Sequence, residues 1–304
     1  MIQKRIPRRR VDGVLLLDKP QGMTSNAALQ TARRLLNAAK AGHTGTLDPM
    51  ATGLLPLTFG EATKFSQMLL DADKTYEATL QLGIVTDTGD ADGRVLEVLA
   101  VEVDEAQVLA ALQAFVGDIE QLPPMYSALK RDGKPLYEYA RAGIEVERAP
   151  RPVRIHSIEP IAVRLEDASV TFRVSCSKGT YVRTLAMDIG ERLGCGAHLT
   201  ALRRTRIGAF DMSAVVSLAE LEAASGDARD GLLAPVDALI AAFPVLALDG
   251  EQAAAVLQGR SLRLDNGQRG SCRLYEGARF LGLGEVDEEG RLLPKRLIAT
   301  VSDH

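Results

Sequence analysis

Segments of period two and segments of period about 3.6 follow one another along this chain in no regular βαβ order, and that irregularity restricts the fold more than any other feature. Thr75–Gly83 alternates, with Tyr76, Ala78, Leu80 and Leu82 on one face, and reads as a strand. Val153–Ile158 and Ser169–Ser175 read as further strands. A helix is expected over Asn26–Ala39, capped by Thr24 or Ser25, with Ala28, Ala32, Leu35, Leu36 and Ala39 as its apolar stripe. A second runs from its cap Asp104 to Val116, with Gly117 as the stop. A third opens near Thr180, carries Val182, Leu185, Ala186, Ile189 and Leu193 on one side, and is closed by Gly194. The run Leu54–Phe59 reads as a short buried strand in which Pro56 hints at an edge or an irregularity. "TDTGDADGRV" at 86–95 is a turn-rich loop with the hairpin signal Asp92-Gly93. Such an order points to the α+β class, with a mixed or antiparallel central sheet and flanking helices.

At 304 residues the chain has room for two domains, and a boundary is expected near 241–251, dividing it into 1–245 and 246–304. Beyond it, Asp249 and Gln252 resemble a capping box before a helix ending at Gly259. Short strands and Gly-rich turns follow, including "LDNGQRG", as a small β-rich module packed on the larger domain. No internal repeat or low-complexity tract is visible. No apolar run approaches the roughly 18–20 residues of a membrane helix, and the basic start is followed only by the short run Val14–Leu17, so neither a membrane span nor a signal peptide is expected. Cys176, Cys195 and Cys272 have neither pairing nor metal-ligand spacing and fit a reducing cytoplasm. The four histidines form no zinc motif, so no metal is expected. Net charge is −4, yet basic islands stand at 4–10, 130–134, the 150s and 203–206. Each alone reads as a solvated face; together they leave room for a basic groove.

One stretch resists a bland reading. "AGHTGTLDPMATGLLPLTFGEATKF", 41–65, places the single aspartate Asp48 in a Gly/Thr-rich loop. It lacks the spacing of a Walker loop, and neither a Rossmann fingerprint nor a hydrolase elbow is present. Glycosidase chemistry would need a facing carboxylate, and Glu61 is thirteen residues away. From the residues alone, Asp48 is a carboxylate on a constrained loop whose plainest task is to satisfy neighbouring N–H groups in a turn.

The same stretch, from Gly42 onward, closely resembles the nucleophile motif of the TruB family of tRNA pseudouridine synthases. "DKPQGMTS" (18–25) looks like the family's KPxGxTS motif. "KTYEATLQLGIVTDTGDADG" (74–93), "PPMYSALKRDGKPLYEYARAG" (123–143), "CSKGTYVRTLAMDIG" (176–190) and "GAHLTALRRTRIGAF" (196–210) follow in family order. The resemblance spans 12–210; the C-terminal module is similar, more weakly, to a PUA domain, an RNA-binding module. It implies the pseudouridine synthase fold and isomerisation of uridine 55 in the T-loop of tRNA: the C1′–N1 bond breaks, the base turns, and it reattaches through C5, with no cofactor.

On that resemblance Asp48 is the nucleophile, attacking either C6 of the base or C1′ of the sugar, and Arg183 is its active-site arginine. Read without the family, Arg183 is a first-turn surface residue of its helix, although a cation there is unfavourable to the helix dipole. Tyr76 corresponds to the tyrosine that stacks on the extruded base and assists removal of the C5 proton. Tyr181 and Leu202 correspond to apolar pocket positions. His43 would fill the space vacated by the flipped base, with a general-base role ranked second. Lys19 and Pro20 would support the catalytic loop, while Lys130, Arg203, Arg204 and Arg206 are candidates for phosphate or loop contacts. The expected partner is tRNA, bound by a cytoplasmic monomer with no membrane contact and no obligate protein partner. A competing reading is a tRNA-binding and folding scaffold on the same fold, which would have no need of a nucleophile. A guide-RNA-directed relative with accessory proteins is disfavoured by the absence of long basic tails.

Overall fold

The computed structural model describes residues 7–264 and 267–299. Residues 4–6 of the first basic island and 265–266 of the expected C-terminal turn lie outside them. In chain order the strands are β1 (Gly13–Lys19), β2 (Ala41–His43), β3 (Thr52–Phe59), β4 (Lys74–Leu82), β5 (Ile84–Thr86), β6 (Val95–Val98), β7 (Gly117–Gln121), β8 (Lys130–Arg131) and β9 (Lys134–Pro135). They continue with β10 (Arg151–Arg164), β11 (Ser169–Cys176), β12 (Ala197–Ile207), β13 (Val216–Ser217), β14 (Val245–Ala247), β15 (Leu262–Arg263), β16 (Gly270–Glu276), β17 (Arg279–Val286) and β18 (Arg291–Leu297). The central sheet has the order β13-β1-β3-β12-β4-β11-β10-β7, with β2 also on β3. β1/β13 and β3/β12 are parallel and the other pairs antiparallel, so the sheet is mixed and the class is α+β.

Burial along the strands explains the layering. β4 buries every second residue from Lys74 to Leu82, as a strand with one covered face must. β1 and β3 are buried almost throughout because both of their faces are covered. Leu15 and Leu17 join the main core, while Val14 and Leu16 join a second core that includes Leu283 of β17. The second sheet, β14-β16-β17-β18-β15, is therefore seated on the back of the first. It begins at Val245, which pairs with Arg273. At the seam Asp237 accepts from Arg273 at 2.9 Å and from the Tyr275 hydroxyl at 2.6 Å.

Helices α1 (Ser25–Leu35), α2 (Ser66–Leu70), α3 (Glu105–Gln113), α4 (Leu136–Arg141) and α5 (Val182–Arg192) come with the first sheet. α1 is capped by Thr24 but stops at Leu35, short of the expected Ala39. Asn37 turns left-handed at φ +52°, and Ala38 leaves the helix to bridge with Arg9. α3 starts on a full capping box between Asp104 and Gln107 and ends at Gln113, before the expected Val116. Asp249 and Gln252 form the capping box that the sequence suggests.

Pro56 lies within β3, between β1 and β12, although proline is suited to an edge. Its carbonyl accepts from Thr44 N on the side away from β1, so its missing N–H faces that side too. There β12 pairs only with Thr52 and Gly53, and the pairing with β2 begins at Leu57, so no ladder bond is lost.

Candidate active site

Asp48 stands in the loop joining β2 to β3, and side chains from four elements hold that loop. The buried Ser25 hydroxyl, in the first turn of α1, donates to Leu47 O at 3.0 Å and accepts from Leu47 N at 2.7 Å. Lys19, fully buried at the end of β1, donates to Pro20 O, Met23 O and Pro49 O at 2.9, 2.6 and 3.4 Å. Arg204 of β12 donates from Nε to Leu54 O at 2.8 Å and from Nη2 to Gly45 O at 3.4 Å. Where β3 meets β12, Gly53 has φ +98°, and a Cβ there would lie 2.3 Å from Arg204 O, so glycine is required.

Arg183 enters from the first turn of α5. Its Nε lies 2.9 Å from Asp48 Oδ2 and 3.6 Å from Asp90 Oδ2. Nη1 donates to Thr88 O at 3.0 Å and Nη2 to Tyr126 O at 2.6 Å. One guanidinium thus ties together the Asp48 loop, the β5–β6 turn and the segment after β7. Its side chain is 5% exposed, whereas that of Asp48 is 35% exposed. The surface reading of Arg183 does not describe this geometry: the arginine is buried, and the carboxylate opens toward solvent. Burial pushes the Asp48 carboxyl above its ordinary range; the Arg183 charge opposes this, Asp90 adds to it, and Lys19 opposes it more weakly. Lys19 itself is lowered to about 8 by burial, with the Asp48 charge acting against the shift.

The Asp48–Arg183 pair borders a cavity of about 350 Å³, within the size range of small-ligand sites. Tyr76 of β4 and Leu202 and Arg204 of β12 share its wall; Tyr76 is in register with Arg204 and Leu202 with Ala78. Burial raises the pKa of the Tyr76 phenol and of the Tyr181 phenol. Tyr181, just ahead of α5, is fixed by Gln121, which accepts from its N at 3.0 Å and donates to its O at 3.3 Å. Lys74 also lines the cavity, donating to Leu70 O at 2.8 Å and to Ala72 O.

The structure therefore brings Asp48, Tyr76, Arg183, Tyr181, Leu202 and Arg204 around one cavity. Arg204 needs correction as a phosphate contact: it is 1% exposed and spent on backbone carbonyls. Strand alternation sends Arg203 to the opposite face, where it grips Asp18 at 2.7 and 3.1 Å. Arg206 donates to Gly208 O. Lys130 is exposed on the β8–β9 hairpin and is not part of the cavity lining, although its neighbour Leu129 is. His43 sits on β2, half-buried and outside the lining, with no hydrogen-bond partner for its Nδ1 among the described residues and its pKa lowered by burial. Lys19 is the buried brace described above, and Pro20 is exposed on the turn after it.

Asp90, Ser127, Lys74 and Gln121 were not anticipated. Asp90 is one of three aspartates in a turn-rich loop, and nothing in its spacing links it to Arg183, 93 residues on. Among the described residues no group of three His, Cys, Asp or Glu is placed to hold a metal, and no helix is long and apolar enough to cross a membrane.

Comparison with known proteins gives a consistent picture over nearly the whole chain. Residues 33–182 match the model described as TruB family pseudouridylate synthase (N terminal domain). Residues 183–241 match the tRNA pseudouridylate synthase B C-terminal domain, and 244–298 match Pseudouridine synthase II TruB, C-terminal. A protein named tRNA pseudouridine synthase B from Aromatoleum aromaticum is 66% identical, over 99% of this chain and 97% of its own. One of the same name from Azoarcus sp. is 67% identical, over 98% and 99%. Among solved structures, a Cbf5-Nop10-Gar1 complex contains a chain with TM-score 0.68 and 29% identity, covering 91% of this chain and 79% of that one. An H/ACA RNP bound to a substrate RNA containing 2′-deoxyuridine gives 0.71 and 25%, covering 95% and 86%.

Proposed function

This chain belongs to the TruB family of pseudouridylate synthases, and from that premise we propose that it converts uridine 55 in the T-loop of tRNA to pseudouridine, with Asp48 as nucleophile. The observation that carries the reading is the Asp48 carboxylate, partly open to a nucleoside-sized cavity and held at 2.9 Å by a buried arginine. A nucleophilic carboxylate must be ionised; Arg183 favours that state against the burial that opposes it. The target base leaves the RNA stack at a cost of a few kcal/mol and enters between Tyr76, Tyr181 and Leu202. Covalent attack by Asp48 at C6 or C1′ divides the exchange into easier steps. The C1′–N1 bond breaks, the base turns, and C1′ bonds to C5; the bond to Asp48 then breaks, displaced by C5 if it was made at C1′ or eliminated if it was made at C6, the C5 proton is lost with help from Tyr76, and N1 gains a proton.

The remaining assignments are ours as well. His43 fills the gap left in the RNA stack, Lys130 contacts the RNA backbone, and Lys19 and Pro20 support the loop. Arg203 belongs with Asp18, and Arg204 supports the loop rather than phosphate. The catalytic domain is 1–245, and 246–304 forms a PUA-like RNA-binding domain. The enzyme works in the cytoplasm as a monomer on tRNA, without an obligate protein partner; three buried, unpaired cysteines support a reducing compartment.

The test uses an unmodified tRNA transcript labelled with tritium at C5 of its uridines. Wild-type protein should release one label per tRNA, and a transcript with cytidine at position 55 should release none. Unchanged release from the cytidine transcript would refute the positional assignment.

A further inference from the structure

Nearly every polar side chain buried in the cavity wall is already occupied. Asp48 and Arg183 hold each other, Lys74 and Arg204 are bonded to backbone carbonyls, and Thr180 Oγ1 donates to Ser177 O at 3.0 Å. Ser127 is different. It lines the cavity, is 5% exposed, and its Oγ has no hydrogen-bond partner among the described residues. The Tyr181 phenol is close enough to feel it, but the pair misses hydrogen-bonding geometry. Leaving a buried hydroxyl unpaired costs stability, so its retention calls for a partner that arrives later.

The backbone on either side is fixed. Ser127 N donates to Met125 O at 2.9 Å, Tyr137 N donates to Ser127 O at 3.1 Å, and Arg183 clamps the carbonyl of Tyr126 at 2.6 Å. The backbone that carries the hydroxyl is thus held in part by the arginine that holds the nucleophile.

We propose that Ser127 is a specificity-determining residue that hydrogen-bonds the imide edge of the uracil (its two carbonyl oxygens and the imide N–H between them) through the rearrangement. This rests on the reading of the cavity as the seat of the flipped uridine. When the base turns about the axis through C6 and the imide nitrogen, N1 exchanges with C5 and C2 with C4. The imide edge keeps its acceptor–donor–acceptor pattern, with the two carbonyl oxygens swapped. A serine hydroxyl can donate to either oxygen or accept from the imide N–H, so one residue serves the base before and after the turn. Cytosine lacks the imide N–H and carries an amine at C4, so its edge does not survive the same exchange.

The test measures pseudouridine formation in T-arm stem-loops carrying uridine, 2-thiouridine or 4-thiouridine at the target, with wild type, Ser127→Ala and Ser127→Cys. Sulfur is the weaker acceptor, so wild type should be slower on both analogues. Ser127→Ala should lose about three- to tenfold in kcat/KM on uridine, the scale of one net hydrogen bond, and its penalty on both analogues should shrink toward one. Ser127→Cys keeps the shape, should behave similarly, and supplies the same comparison if the alanine variant does not fold. The proposal is overturned if the thio penalties are unchanged in the variants, if the variants match wild type on uridine, or if all three substrates lose the same factor, as they would if Ser127 only held Tyr181. Wild type forming no pseudouridine on the uridine stem-loop would instead overturn the reading of the cavity itself.

Discussion

Replacing Arg183 by lysine keeps a positive charge while removing the fork that joins three segments. Lysine cannot reproduce the bond from Nε to Asp48 together with those from the two terminal nitrogens to Thr88 O and Tyr126 O. The lost charge-assisted bond to Asp48 corresponds to about 1.5–3 kcal/mol, which is about a 10- to 150-fold fall in kcat if it is needed in the transition state. Affinity for tRNA should change by less than about twofold, because a side chain 5% exposed offers little to a phosphate. Single-turnover tritium release and filter binding, measured side by side, separate the two effects. Equal losses in turnover and affinity would make Arg183 an RNA anchor, and an unchanged kcat would show that the pairing is incidental.

Three further outcomes follow from the geometry. Because burial raises the Asp48 carboxyl and the reaction needs it ionised, the acid limb of kcat should lie above the ordinary carboxylate range and move higher in Arg183→Lys; an acid limb at about pH 4 in both proteins would contradict this. Lys19→Met leaves Pro20 O and Met23 O without their donor, while Pro49 O keeps Gly22 N; a cost of about 2–4 kcal/mol predicts a fall in Tm of about 3–6 °C, checked by thermal unfolding, and no fall would refute the bracing role. Asp237→Ala strips Arg273 and Tyr275 of their shared acceptor at the seam; calorimetry should show one transition lowered by several degrees, since Val14, Phe65 and Leu283 form one core, and a separate transition for the second sheet would refute that coupling.

Periodicity was sufficient where one face of an element decides its fate. β4 alternates cleanly because only one of its faces is covered, and the capping boxes at Asp104 and Asp249 are local chemistry that needs no tertiary knowledge. It failed where a distant partner overrides local preference. Ala38 is drawn out of the expected helical span into a bridge with Arg9, and Pro56 is tolerated inside the sheet because the side its N–H would face is only partly paired. The site was legible to a similar degree. Motif resemblance named Asp48, Tyr76, Arg183, Tyr181 and Leu202, all of which meet at the cavity. "RRTR" could not be resolved: neighbouring residues of one strand face opposite ways, and only the sheet reveals that Arg204 turns toward the Asp48 loop while Arg203 turns toward Asp18. Asp90 and Ser127 were invisible for a related reason, since each becomes meaningful only through Arg183, which reaches both of their segments.

The central claim is that Asp48 attacks the nucleotide, and Asp48→Asn tests it with nearly no change of shape. Tritium release from C5-labelled tRNA should vanish while tRNA affinity stays within about twofold of wild type, because the amide keeps the size of the carboxylate but is no nucleophile. An Asp48→Asn protein that still releases label at a rate near wild type would contradict the account.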